Sequence, residues 1–266
     1  MNLPIAIQLF SLRNTFPNDI EGTLQALKDM GYDGVEFAGF HGRSARELRE
    51  ICERIGIIPI SVHITYPELC EKIDERIEEY SELGCKYVAI ASMHREFHKG
   101  GEKHEGVYEN IKKMSKRFRD RGMTLVYHNH GYEMCEYEGK RLHEWLFENM
   151  TEEELQPEID TGWIELEVGE AERYIRKFKD RCDLVHVKSY YGHEGYDELV
   201  HSPDEIKPRH MYDFCNYEVG RLDVPAIARA AVESGAKWLI VEQDRPEPDH
   251  TELDSARINI NVLRSL

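Results

Sequence analysis

Positive charge is scarce in this chain. Lys and Arg number 34 against 51 Asp and Glu, a formal net charge of −17. Nucleic-acid binding is built on Lys/Arg patches, so this balance disfavours a phosphate backbone, and an anionic membrane surface, as partner. A small phosphorylated ligand would need local cations or a metal to override the global field. Paired cysteines are also missing. Cys52, Cys70, Cys85, Cys135, Cys182 and Cys215 stand singly with no C-x-x-C, which suits reduced thiols in a cytoplasmic protein better than a disulfide framework or a structural zinc site. No apolar run is long enough to cross a bilayer, and no basic stretch leads into a signal-like hydrophobic segment. The expectation is a soluble protein without a membrane partner. There is no Pro/Gly/Ser-rich linker, low-complexity tract or short repeat, and 266 residues at 41% hydrophobic can bury one large core. We therefore expect one domain over residues 1–266.

What is present is a repeated pattern. Short apolar runs at 5–10, 34–38, 59–64, 86–90, 125–130, 157–160, 184–188 and 238–242 read as strands. Between them lie amphipathic helices at 19–30, 44–55 with Ser44 as N-cap, 67–83, a basic helix to Arg121, 141–149, 170–179, 225–234 and a last one from 252. Several stop at glycine: Gly31, Gly56, Gly84 and Gly122. Eight strand–helix alternations in a chain of this length predict an α/β fold, a (β/α)8 TIM barrel. A doubly wound sheet is the alternative, and the lack of G-x-G-x-x-G after the first strand weakens it.

In such barrels the chemistry sits where strands end. Side chains alternate along a strand, so Gln8 shares a face with Ala6, Glu36 with Gly34 and Ala38, His63 with Ser61, and Glu242 with Ile240. Small partners suit a crowded barrel interior. The run Leu125-Val126-Tyr127-His128-Asn129-His130-Gly131-Tyr132-Glu133 puts Val126, His128 and His130 on one face, and Glu133 falls just past the turn that Gly131 permits. Asp160, His186 and Glu242 end the next three strands. Three carboxylates and an imidazole on one rim repel unless a cation sits among them, so Glu133, Asp160, His186 and Glu242 are the expected metal set. Oxygen-rich ligation points to one divalent ion, Mn²⁺, Mg²⁺ or Co²⁺, with Zn²⁺ as a further option.

The segments HNHGYE, EIDTGW, HVKS, EVGRLD and IVEQD, spread over essentially the whole chain, resemble the sugar phosphate isomerase/epimerase group of the xylose-isomerase-like barrel superfamily. That resemblance implies a Glu, Asp, His, Glu metal set, matched here by Glu133, Asp160, His186 and Glu242. It also shows departures. His128 stands where ketose epimerases carry a strand-five Glu, leaving His128 and Glu133 as alternative ligands. Trp163 replaces a substrate-binding histidine, and Ser189 replaces an acid.

The resulting expectation is a metal-dependent isomerase or epimerase of a keto-sugar or cyclitol that abstracts a proton next to a carbonyl through an enediolate. Its alternative is a lyase or dehydratase on a keto-inositol or 3-keto-glycoside. A non-catalytic sugar-binding module and a DNA-repair endonuclease rank below both. Glu133, Glu242, His63 and His128 are the expected acid–base groups. Gln8, Glu36, His130, Trp163 and Lys188 are the expected sugar contacts. The long connection 190–218 is expected to be a lid over the strand-seven end. The histidine-rich loop with His94, His98 and His104 is expected at the surface, as a subunit contact should the chain form a homo-oligomer.

Overall fold

The apolar tetrad Ile5–Gln8 forms the first strand, β1, whose neighbours come from opposite ends of the chain: β2 (Gly34–Phe37) and β8 (Trp238–Val241). Between them run β3 (Ile58–Thr65), β4 (Tyr87–Ser92), β5 (Thr124–His128), β6 (Gln156–Asp160) and β7 (Leu184–Val187). All eight pair in parallel and close into a barrel in the order β1-β8-β7-β6-β5-β4-β3-β2. This computed structural model, which describes residues 3–266, is thus a (β/α)8 TIM barrel.

Nine helices lie between and after the strands among the described residues: α1 (Ile20–Met30), α2 (Ala45–Ile55), α3 (Tyr66–Leu83), α4 (Val107–Arg119), α5 (Leu142–Glu148), α6 (Thr161–Val168), α7 (Ala171–Lys177), α8 (Val224–Glu233) and α9 (Glu252–Arg264). Ser44 caps α2 as expected: Glu47 N donates to its Oγ at 3.2 Å, and the Glu47 carboxylate accepts from Ser44 N at 2.8 Å. Helix α6 was not foreseen. Five of its eight residues are buried, on all sides, so the one-sided pattern that reveals a surface helix is absent.

Two apolar layers result. Outward-facing residues such as Ile5, Ile7, Val35 and Phe37 pack under the helices. The barrel interior holds a smaller set, Ala6, Ile60, Tyr87, Ala89, Val126, Leu184 and Ile240, with Trp238 against it. This carbon fills the lower part of the barrel. Gln8, Glu36, Ser61, His128, Glu158, Asp160 and His186 are all buried nearer the C-terminal strand ends.

The connection after β7, expected to be a lid, carries strand pairing of its own. Ser189–Gly192 pairs antiparallel with Tyr212–Cys215, and Leu166, Tyr190, Tyr196, Tyr212 and Phe214 form an apolar cluster of their own beneath it. In the histidine-rich loop His98 is buried, not at the surface, and shares a hydrogen bond with Met93 O at 2.8 Å. No helix among the described residues is long and apolar enough to cross a membrane.

Gly34 marks the tightest part of the barrel floor. A Cβ there would lie 2.8 Å from Ile60 Cγ2 and 2.9 Å from Ile58 O. Gly34→Ala is therefore expected to destabilise the fold by about 1–3 kcal/mol through overpacking. Urea unfolding would read this as a lower midpoint; an unchanged midpoint would mean the floor can relax.

Candidate active site and metal centre

Parity brings the polar strand ends together. At the base lies Glu36, which accepts from Gln8 Nε2 at 2.7 Å and also bonds Ser61 Oγ. Its Oε1 is 2.9 Å from His63 Nε2 and 2.8 Å from His186 Nε2. Glu158 lies 2.8 Å from His63 Nε2 through Oε2, and 3.4 Å from His128 Nδ1. Glu242 Oε2 sits 2.9 Å from His186 Nδ1. Lys188 Nζ is 2.7 Å from Asp244 and 3.8 Å from both Asp160 and Glu242.

Local structure fixes these positions. Asn129 ties the end of β5 to β6, accepting from Asp160 N at 3.0 Å and donating to Asp160 O at 3.2 Å. Asp160 Oδ1 accepts from Trp163 N at 3.0 Å, so one oxygen starts α6 while Oδ2 is left free. Thr161 Oγ1 donates to His186 O at 2.8 Å and ties the start of α6 to β7. Gly162 permits that approach, because a Cβ there would meet Lys188 O at 2.6 Å.

The electrostatics follow from burial and crowding. Burial works to raise the Glu36 carboxyl, yet the imidazoles of His63 and His186 hold it well below the usual range. Burial opposes charge on His63 as well, but Glu36 and Glu158 push it up to about 10. Asp160, with burial dominant over Lys188, rises to about 7. Glu242 moves down despite burial, because Lys188 and His186 face it. His128 and His130 are driven towards the neutral form by burial, His130 to about 3. Two buried imidazoles thus serve as counter-cations for the acids around them.

Around the site, His128 Nδ1, His130 Nδ1, Glu158 Oε1, Asp160 Oδ2, Trp163 Nε1 and His186 Nε2 are buried without a well-formed hydrogen bond, His186 Nε2 despite lying 2.8 Å from Glu36 Oε1. Such atoms are costly unless something binds them. Two donor groups have their ligand atoms within 4.8 Å of one another: His63, His128, Glu158 and His186, and His128, Asp160, His186 and Glu242. Either could hold a metal ion. They share His128 and His186.

Above the donors opens a cavity of about 420 Å³, reached by His63, His128, His130, Trp163, Lys188 and Glu242. Most of the expected site residues are therefore at or beside one place. Three are not where they were expected. Glu133 stands outside both donor groups because the turn Gly131–Met134 swings it behind β5. There it accepts from Tyr127 Oη at 2.5 Å and from His130 N at 2.8 Å. Gln8 and Glu36 are fully buried and do not line the cavity; Glu36 lies behind His63 and His186. Conversely, Glu158 and Asp244 were missed, although each stands two residues from a recognised acid, Asp160 and Glu242, on the same alternation.

Fold and strand-end geometry define a TIM barrel with a candidate metal centre at the C-terminal mouth. The comparisons with known proteins narrow this. The family model for the xylose isomerase-like TIM barrel matches residues 24–266, and the chain belongs to that family. A sugar phosphate isomerase/epimerase from Parabacteroides distasonis ATCC 8503 superimposes with a TM-score of 0.76 at 18% identity, over 100% of this chain and 97% of that one. A structure of L-ribulose 3-epimerase gives a TM-score of 0.72 at 14% identity, over 99% and 94%. The probable 3-DHS dehydratase AsbF of petrobactin synthesis, from Bacillus anthracis, gives 0.70 at 12%, over 98% and 99%. At such identities the likeness is one of fold. No curated protein matches the chain at a significant level.

Burial raises the Glu133 carboxyl from 4.5 to about 7, against donors from Tyr127 and His130. A carboxyl raised on folding binds its proton more tightly in the native state, so its contribution is full at low pH and is lost as pH climbs between these values. Glu133→Gln should therefore gain stability relative to wild type between pH 4.5 and above 7, by about 3 kcal/mol. Chemical denaturation across that range checks this; parallel curves for the two proteins would contradict it.

Proposed function

We propose that this protein is a divalent-metal-dependent enzyme acting on a keto-sugar or cyclitol, an isomerase or epimerase that breaks a C–H bond next to a carbonyl. One observation carries the reading: His128, Asp160, His186 and Glu242 come from four adjacent strands, with unpartnered buried donors among them, directly under a cavity. This donor set fits a dication better than the alternative one, because it brings two carboxylates, Asp160 and Glu242, where the alternative brings Glu158 alone. His128 takes the strand-five place expected of Glu133. With two imidazoles and two carboxylates, Mn²⁺, Co²⁺ and Zn²⁺ suit the set better than Mg²⁺. A bound divalent ion supplies Lewis-acid polarisation of a carbonyl beside the C–H bond.

The remaining work falls to side chains that reach the cavity. Glu242 is the carboxylate on its β8 side and accepts the proton; Asp160 and Glu158 do not line it. His63, on β3, is kept in its protonated form by the charges of Glu36 and Glu158 and returns a proton from another side. His128 orients through its neutral imidazole, and His130 and Trp163 contact the sugar. Lys188 beside Asp244 favours a second outcome, β-elimination, since its ammonium could protonate a leaving oxygen. The dehydratase among the structural neighbours is in keeping with that alternative. The ribbon within 190–218 acts as the cover, with Phe214 packed edge-on against Trp163 at 4.8 Å.

Two measurements test this. Elemental analysis of protein purified without chelator should find about one divalent ion per chain in wild type and in Glu133→Gln, and little in His128→Ala or Glu242→Ala. Equal metal in all four would dismiss the donor set. Keto-sugars incubated in D₂O and followed by NMR should show deuterium or inversion at the carbon next to the carbonyl, or loss of water or an aglycone for the lyase. Metal-loaded protein that does none of these across a broad panel would leave a binding module.

A further inference from the structure

The connection after β7 is fastened a second time, away from its ribbon. Lys207 N donates to both oxygens of the Glu167 carboxylate, at 3.0 and 3.2 Å. The Lys207 ammonium turns elsewhere, donating to Leu166 O and lying 3.4 Å from Tyr196 Oη. Tyr196 Oη donates to the same Leu166 O at 2.9 Å, and Glu136 N donates to Pro203 O at 2.5 Å. The arm 199–208 is thereby held against the end of α6 and the segment beyond the 131–134 turn.

Glu167 is an expensive side chain to place under that arm. It is 1% exposed, and among the described residues the Lys207 amide is the only group that hydrogen-bonds its carboxylate. A carboxylate so buried is poorly compensated. Burial raises it from 4.5 to about 7, against the Lys207 amide and ammonium. Glu167 also reaches the site. It follows Trp163 by four residues on α6, so the two share a helix face. Both close on Gly131, next to His130: a Cβ there would lie 2.9 Å from Glu167 Oε1 and 3.2 Å from Trp163 Cε3. The arm itself leads into Tyr212–Cys215, whose Phe214 packs on Trp163 and on the Lys188 ammonium.

We propose that Glu167 is a positioning residue, the proton-controlled latch of the cover: protonated, it holds the arm 199–208 shut beside Trp163, and ionised, it lets the arm lift. The latch rests on the sugar-site reading above only for what the cover encloses. Lifting the arm returns water to the carboxyl, so the closed arm binds the proton more tightly than the open one. Opening therefore gains as pH climbs between 4.5 and about 7. Other groups face Glu167. On the arm, Lys207 is lowered by burial, as is His201, which has Arg141 and Glu136 near it. Tyr196 and Tyr212 of the connection and Cys135 beyond the turn are raised by burial and stay neutral over this range.

Hydrogen exchange at the Lys207 amide of the full chain, followed by NMR and corrected for the intrinsic pH dependence of exchange, tests the latch. In wild type its protection should fall at least about tenfold between about pH 5 and pH 8. Glu167→Gln keeps an acceptor that does not ionise, so protection should stay high and flat. Glu167→Ala removes the acceptor and should be poorly protected throughout. The Val126 amide in β5 should exchange slowly and alike in all three, which separates a lifted arm from an unfolded barrel. A flat wild-type profile, a pH dependence that survives in Glu167→Gln, or wild-type protection in Glu167→Ala would overturn the latch and leave the sugar reading standing. A keto-sugar panel without turnover would overturn the sugar reading and leave the exchange result intact.

Discussion

The structure depends on how buried negative charge is balanced at the mouth of the barrel. Glu36, Glu158, Asp160 and Glu242 are all buried there, and the cations facing them are His63, His186 and Lys188. A carboxylate taken from water costs several kcal/mol unless paired and hydrogen-bonded. Each neighbouring element supplies part of that compensation. Gln8 and Ser61 donate to Glu36, the first turn of α6 donates to Asp160, and Asp244 holds Lys188 in place. Apolar filling of the lower barrel keeps water from entering beneath. The unpartnered donors of His128, Glu158, Asp160 and His186 mark where the protein's own compensation stops. A divalent ion bound there would displace the His186 proton and supply the larger charge.

The fold was largely legible because the barrel repeats one local rule. Short apolar runs marked all eight strands, and glycines at Gly31, Gly56 and Gly84 marked helix ends, all with positive φ. The same parity placed His63, His128, His186 and Glu242 on inward positions. Glu133 failed because sequence proximity to a strand end says nothing about which way a turn leaves. Gly131 opens a short 3-10 turn, and the Tyr127 hydroxyl on the outer face captures the carboxylate. Glu158 was overlooked because Asp160 drew the reading to the last residue of β6, although the alternation applies to both. His98 looked like a surface residue in a polar loop, and only tertiary packing against Tyr127 and Tyr132 buries it.

The division of the mouth into two halves gives the site its character. One half concentrates metal donors; the other sets His63 beside Phe10, Ala38, Ile64 and Ala91. The ribbon Ser189–Gly192 with Tyr212–Cys215 extends the second character over the top, because Phe214 packs on both Trp163 and the Lys188 ammonium. A buried lysine between aromatic faces and three carboxylates has little freedom to serve a mobile anion.

The most direct test of the account is the position of a bound ion. A crystal of this protein grown with Mn²⁺, with diffraction recorded on both sides of the manganese absorption edge, would locate it without reference to the donors assumed here. The account predicts one anomalous peak enclosed by His128, Asp160, His186 and Glu242 and open to the cavity. A peak among His63, His128, Glu158 and His186, beside Glu133, or at none of these places would contradict it.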